Sequence, residues 1–100
     1  MNKIKVFKLI SGEEIISEIH NPYSDYYELK APATIMIQQT QQGVGVALMP
    51  YMPYSTGNVQ LNKNAIASEA EPDIKMVNEY NRLFGSGIEI ASASALSALR

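Results

Sequence analysis

The chain opens on two apolar runs around one polar knot, "FKLISGEEIISEI", Phe7 to Ile19. Residues 4–11 read as a strand, with Ile4, Val6 and Ile10 on one face and Phe7 and Leu9 on the other. Both faces are largely apolar, broken only by Lys5 and Lys8, so the strand is expected to be covered on both sides. Gly12 supplies the turn, and Ile15, Ile16 and Ile19 continue a second strand. "HNPYSD", His20 to Asp25, reads as turn chemistry. A long strand follows in "YYELKAPATIMIQQT", where Tyr27, Leu29, Ala31, Ala33, Ile35 and Ile37 share one phase. Pro32 has no N–H to give a ladder, so an edge, a bulge or a bend is expected there.

The loop "QQTQQGVG" separates this strand from another at Val44–Tyr54, which Pro50 and Pro53 should break. "STGN" is a further turn. "VQLNKNAIA" gives two short pieces, Val59–Leu61 and Ala65–Ala67, hinged at Asn62, Lys63 and Asn64. Residues 72–84 are the one convincing helix. Ile74, Met76, Val77, Tyr80, Leu83 and Phe84 fill half of its wheel, and Lys75, Asn78, Glu79 and Arg82 face them. Pro72 is expected in its first turn, Asp73 at the positive end of its dipole, and Gly85 and Gly87 at its stop. The pattern predicts one mainly β domain over residues 1–84: a small, five-stranded, strongly bent antiparallel barrel of SH3-like architecture with a C-terminal helix. Residues 85–100 form a low-complexity Ala/Ser tail.

Composition narrows the function classes. The chain has 100 residues, no cysteine, no tryptophan and a formal net charge of −2. Ile, Val, Leu, Met and Tyr must therefore build the core, without a disulfide or a Cys/His metal cluster to brace it. The acidic balance argues against a wholly basic nucleic-acid binder. The N-terminal lysines and short apolar pairs argue against a signal peptide, and no window is long enough for a membrane helix, so a cytoplasmic protein is expected. Glu13 and Glu14 are adjacent on an extended chain and point apart, so they read as solvated turn residues rather than an acid/base pair. His20 is the only histidine and has no nucleophile pattern beside it. "QQGVGVAL" lacks the lysine and the strand–loop–helix setting of a phosphate loop. No catalytic residue, metal ligand or cofactor is expected.

"KLISGEEIISEI" resembles the first half of the Sm1 motif of Sm-like proteins: an apolar strand, a Gly turn, then a second apolar strand. Gly12, Leu9, Ile15 and Ile19 stand where that family has them. "VQLNKNAIA" is similar to the Sm2 motif, with Asn62, Lys63 and Asn64 in its sharp turn. The resemblance covers residues 4–67. Ser17 replaces the second Sm1 glycine, the Arg-Gly usual in Sm2 is absent, and the helix is C-terminal rather than N-terminal. These departures resemble Sm-like proteins of tailed phages, which would work in the host cytoplasm. The resemblance implies a homo-oligomeric ring of about five to seven copies, joined by strand edges. It also implies single-stranded RNA bound by aromatic stacking and a cation. The residues that would carry this are Tyr23, Tyr26, Tyr27, Asn62, Lys63 and Asn64. The plainer reading places the tyrosines in the core or an interface. A structural or adaptor ring that binds protein partners is the alternative, and a peptide-binding SH3-like monomer is a third.

Overall fold

A computed structural model describes residues 3–85. Residues 1–2 and 86–100, which include Gly87 and all but the first residue of the expected tail, lie outside the described residues. The fold is mainly β, an antiparallel sheet with one helix after it. There are six strands rather than five. They are β1 (Lys3–Leu9), β2 (Glu14–Pro22), β3 (Tyr26–Thr40), β4 (Gly43–Pro50), β5 (Val59–Asn62) and β6 (Ile66–Ala70). A single 3-10 turn, Lys63–Ala65, links β5 to β6, and helix α1 spans Ile74–Phe84.

The sixth strand arises because the two pieces of "VQLNKNAIA" are separate strands, β5 on β3 and β6 on β1, while Pro50 ends β4 as expected. The backbone then leaves the sheet and returns only at Val59. Both halves of this interrupted path pair with β3: Ala33–Thr40 with β4, and Tyr26–Leu29 with β5. The expected loop at residues 38–45 is instead a tight hairpin, with Gln41 and Gln42 at its tip and Gly43 at φ 120°. β2 also runs three residues past Ile19, which leaves only Tyr23, Ser24 and Asp25 as the turn before β3.

The strand order is β4-β3-β2-β1-β6, with β5 also on β3. β5 and β6 are not paired with each other. Asn62 on β5 and Ile66 on β6 are nonetheless four residues apart. In a flat sheet they would lie four strand spacings apart, about 19 Å. Four residues reach at most about 14 Å even when extended. The sheet must therefore curl, and its inner face packs on itself. Phe7, Leu9, Ile15, Ile19, Tyr27, Leu29 and Leu61 form that inner cluster. A second cluster lies on the opposite face, where α1 covers the sheet: Ile16, Ala33, Leu48 and Tyr80, with Ile4, Val6, Ile35, Met76 and Phe84 against them.

These two clusters explain why β1 and β2 are apolar on both faces. They also expose a break in β3. Tyr27 and Leu29 belong to the inner cluster, whereas Ala33 and Ile35, in the same sequence phase, belong to the helix-covered cluster. The reversal occurs at Ala31, whose φ is +52°, and Pro32. Between the Ile16↔Ala33 and Glu18↔Lys30 pairs, β2 advances two residues and β3 three, so one extra β3 residue flips the strand. The bend expected at Pro32 is thus a bulge.

The helix starts later than its sequence pattern. Pro72 precedes it, and Asp73 is the N-cap, with Oδ1 accepting the Met76 N–H at 2.8 Å. Tyr80 is fully buried, but Ile74 and Leu83 at the helix ends remain exposed. Among the described residues, no helix is long and apolar enough to cross a membrane.

Candidate nucleic-acid interface

The short β2–β3 turn is held by the Tyr23 N–H, which donates to the Tyr26 carbonyl at 2.9 Å. That closure brings the Tyr23 and Tyr26 rings into a stack, with centroids 4.7 Å apart and planes 28° apart. Ser24 Oγ lies 3.3 Å from Asp25 Oδ1. The second turn, Asn62–Asn64, sits directly beside the first for two reasons. Asn62 pairs with Tyr26 across the β3–β5 ladder, and the Lys63 N–H donates to the Asp25 carbonyl at 2.9 Å. Ser24, Asp25, Asn62, Lys63 and Asn64 line one open depression between the turns.

Five of the six residues singled out from the sequence meet here: Tyr23, Tyr26, Asn62, Lys63 and Asn64. Tyr27 faces the other way. It is buried in the inner cluster against Phe7, ring centroids 5.2 Å apart. Its hydroxyl lies 3.0 and 3.1 Å from the two Glu69 carboxylate oxygens. Tyr27 is therefore a core residue, and Tyr23 and Tyr26 are the two tyrosines left at the turn. The Lys63 ammonium is also partly committed, since it lies 4.7 Å from the Tyr27 ring centroid.

Glu69 organises the charges behind the depression. Lys5 Nζ is 2.8 Å from its Oε2. The Lys5 hydrogen bond, opposed by partial burial and assisted by Tyr27 and Lys63, holds the Glu69 carboxyl below its ordinary value. The same pair raises Lys5, and burial pushes the Tyr27 phenol up. Sequence spacing gave no sign of this network, because Lys5, Tyr27 and Glu69 come from three different strands.

Other sequence candidates are placed elsewhere. Glu13 is exposed at the β1–β2 turn, where its carbonyl accepts the Leu9 N–H at 2.8 Å. Glu14 pairs with Lys8 at 3.4 Å. His20 is exposed, and no cluster of three metal-ligating side chains occurs among the described residues. A polar group that the sequence did not flag lies on the outer face: Glu28 accepts from Asn21 at 3.2 Å and Asn58 at 3.0 Å. These two amides, Asn58 foremost, lower the Glu28 carboxyl.

Ser17 and Tyr80 meet at the β3 bulge. Both are fully buried. The Tyr80 hydroxyl accepts the Glu18 N–H at 3.1 Å and lies 2.7 and 2.8 Å from the carbonyls of Lys30 and Ala31. Ser17 Oγ reaches the Lys30 carbonyl at 3.1 Å. No family model matches this chain, and no curated protein matches it.

Proposed function

We propose that this protein is a ring-forming, Sm-like barrel protein that binds single-stranded RNA at the paired turns Tyr23–Asp25 and Asn62–Asn64. The observation that carries the reading is the convergence of these turns, which brings a stack of exposed Tyr23 on half-buried Tyr26 next to the turn of two asparagines and a lysine. Exposed aromatic faces bind unpaired bases without needing a duplex. The curled sheet supports the barrel. β4 and β5 together take the place of one long strand, and the 3-10 turn leads from it into β6.

The open edges support the ring reading. Among the described residues, β4 pairs only with β3, and β6 only with β1. β4 contains no charged side chain to discourage edge pairing. Pairing the β4–β5 edge of one copy with the β6 edge of the next would be head-to-tail, the kind of contact that forms a ring where the rotation between copies closes.

Titration of a short labelled single-stranded RNA, with a duplex of the same sequence as control, tests the RNA reading. Tyr23→Ala should weaken single-strand binding by about tenfold, the loss of roughly one stacked base. Lys63→Ala should weaken it too. Equal affinity for strand and duplex, or an unaffected Tyr23→Ala variant, would overturn the reading.

A second reading rests on a different surface. Ile37 and Val44 are each 71% exposed on the β3–β4 hairpin, and Val46 lies half-exposed beside them. An apolar patch of this kind suits a protein partner, which makes an adaptor ring the alternative. Capture of a defined protein by the ring, lost on Ile37→Ser, would favour it.

A further inference from the structure

An apolar groove opens beside the C-terminal end of α1. Pro32, Pro50, Met52, Pro53, Val59 and Phe84 line it, and its volume is about 210 Å³. That is several times the ~30 Å³ share of one water, room for a branched aliphatic side chain. No charged side chain lines the groove. The polar side chain of the lining is already committed, since Ser55 Oγ donates to the Met52 carbonyl at 2.7 Å. The groove therefore offers burial and dispersion rather than directed hydrogen bonds, which suits an apolar occupant.

The chain supplies such an occupant at this point. Phe84 is both the last residue of α1 and a wall of the groove. At Gly85 the backbone becomes extended, φ −70° and ψ 179°, instead of adding another helical residue. A Cβ there would lie 2.7 Å from the Asn81 carbonyl oxygen, so this exit from the helix requires glycine. Residues 86–100 continue from that exit, and their first large apolar residues are Ile88 and Ile90, with Glu89 between them. Three residues beyond Gly85 span up to about 10 Å and five up to about 17 Å, so both isoleucines can return to a groove that Phe84 walls. Alternation lets two residues spaced this way face one surface while the one between them faces water. The next residue of comparable size is Leu96, after a run of Ala and Ser.

We propose that Ile88 and Ile90 of the same chain occupy this groove and pack on Pro50, Met52 and Pro53. The contact ties the end of α1 to residues 51–58, the excursion that separates β4 from β5. It thereby braces the junction of two strands that share β3 as their partner. It depends on neither RNA binding nor a ring.

The test is peroxide oxidation of the full chain, with mass spectrometry resolving each methionine. Methionine oxidation follows exposure. Met52 is 49% exposed and Met49 50%, but Met49 does not line the groove, so it is the internal control. The double variant Ile88→Ser, Ile90→Ser should oxidise at Met52 about threefold faster or more than the parent, with Met49 unchanged. An unchanged Met52 rate, or an equal rise at both methionines, would overturn the proposal. Methyl NMR then separates the chain's own segment from that of a second copy. Chains labelled at both Met and Ile methyls should show a nuclear Overhauser contact between the Met52 methyl and Ile88 or Ile90. That contact should vanish when Met-labelled chains are mixed with Ile-labelled ones. Its persistence in the mixture would assign the groove to a neighbouring copy and contradict the proposal.

Discussion

The Tyr80 hydroxyl bonds the backbone where the β2–β3 register shifts. Beside the bulge at Ala31 and Pro32, the Tyr80 hydroxyl accepts the Glu18 N–H and has the Lys30 and Ala31 carbonyls within reach of its one proton. Buried backbone groups without partners are costly, so the contact both seats the helix and stabilises the bulge. Tyr80→Phe keeps the ring and removes the bonds. It should cost about 1–3 kcal/mol in urea denaturation with an unchanged m-value; an unchanged midpoint would show that the hydroxyl is not needed. Glu69 makes a pH-dependent contribution of the opposite location, on the inner side of the sheet. Its carboxyl binds a proton less readily folded than unfolded, chiefly because of Lys5. Its stabilisation is therefore complete above the ordinary value of 4.5 and drains away as the pH falls below it. Glu28 and Glu79 are shifted in the same direction, so the informative quantity is the difference between parent and Glu69→Gln. That difference should shrink as the pH falls from about 6 to about 3. At this scale the sequence was a partial guide. The helix periodicity placed Tyr80 on the apolar arc, but a tyrosine there signals a buried hydroxyl in need of a partner, and the partners lie about fifty residues away in the chain. Tyr27 was singled out through the Sm-like resemblance alone; its phase with Leu29 in the long strand already pointed to the core, and there it lies.

The strands were legible from period-two alternation, and the helix from its 3.6-residue period, because both record which face is buried. Pro50 ends β4 as its missing N–H implied, but the helix begins two residues later than expected, with Asp73 as its cap and Pro72 outside it. β3 is the instructive element. Its side chains keep one phase in the sequence, yet they change face halfway along. The alternation contains no mark of an inserted residue, and only Pro32 hinted at it. The conformation required at the flip is the left-handed one, which an alanine adopts at a cost of about 1–2 kcal/mol. Glycine removes that penalty while adding freedom to the unfolded chain. Ala31→Gly should therefore be neutral or stabilising by up to about 1 kcal/mol, the reverse of glycine elsewhere in a strand. A loss of 1 kcal/mol or more, read from the thermal midpoint, would contradict the strained bulge.

At the scale of the whole molecule, the reach of the β5–β6 link forces the curl, and the curl leaves two sheet edges open. The small inner cluster, the charge-free β4 edge and the exposed hairpin side chains all favour association between copies. The Sm2-like stretch holds the Asn62–Asn64 turn that the fold brings beside Tyr23–Asp25, whereas the Sm1-like stretch, residues 8–19, contains neither turn. They could not show that Tyr27 is withdrawn, that Lys63 leans on it, or that Asp25 lies in the depression, since each depends on contacts between distant segments. The proposed ring and its RNA site meet in one measurement: sedimentation velocity of a labelled single-stranded RNA with excess protein, followed through the label. The label should move with a species of about five to seven times the 11.0-kDa chain mass. A label that sediments alone, or with a single chain, would contradict the account.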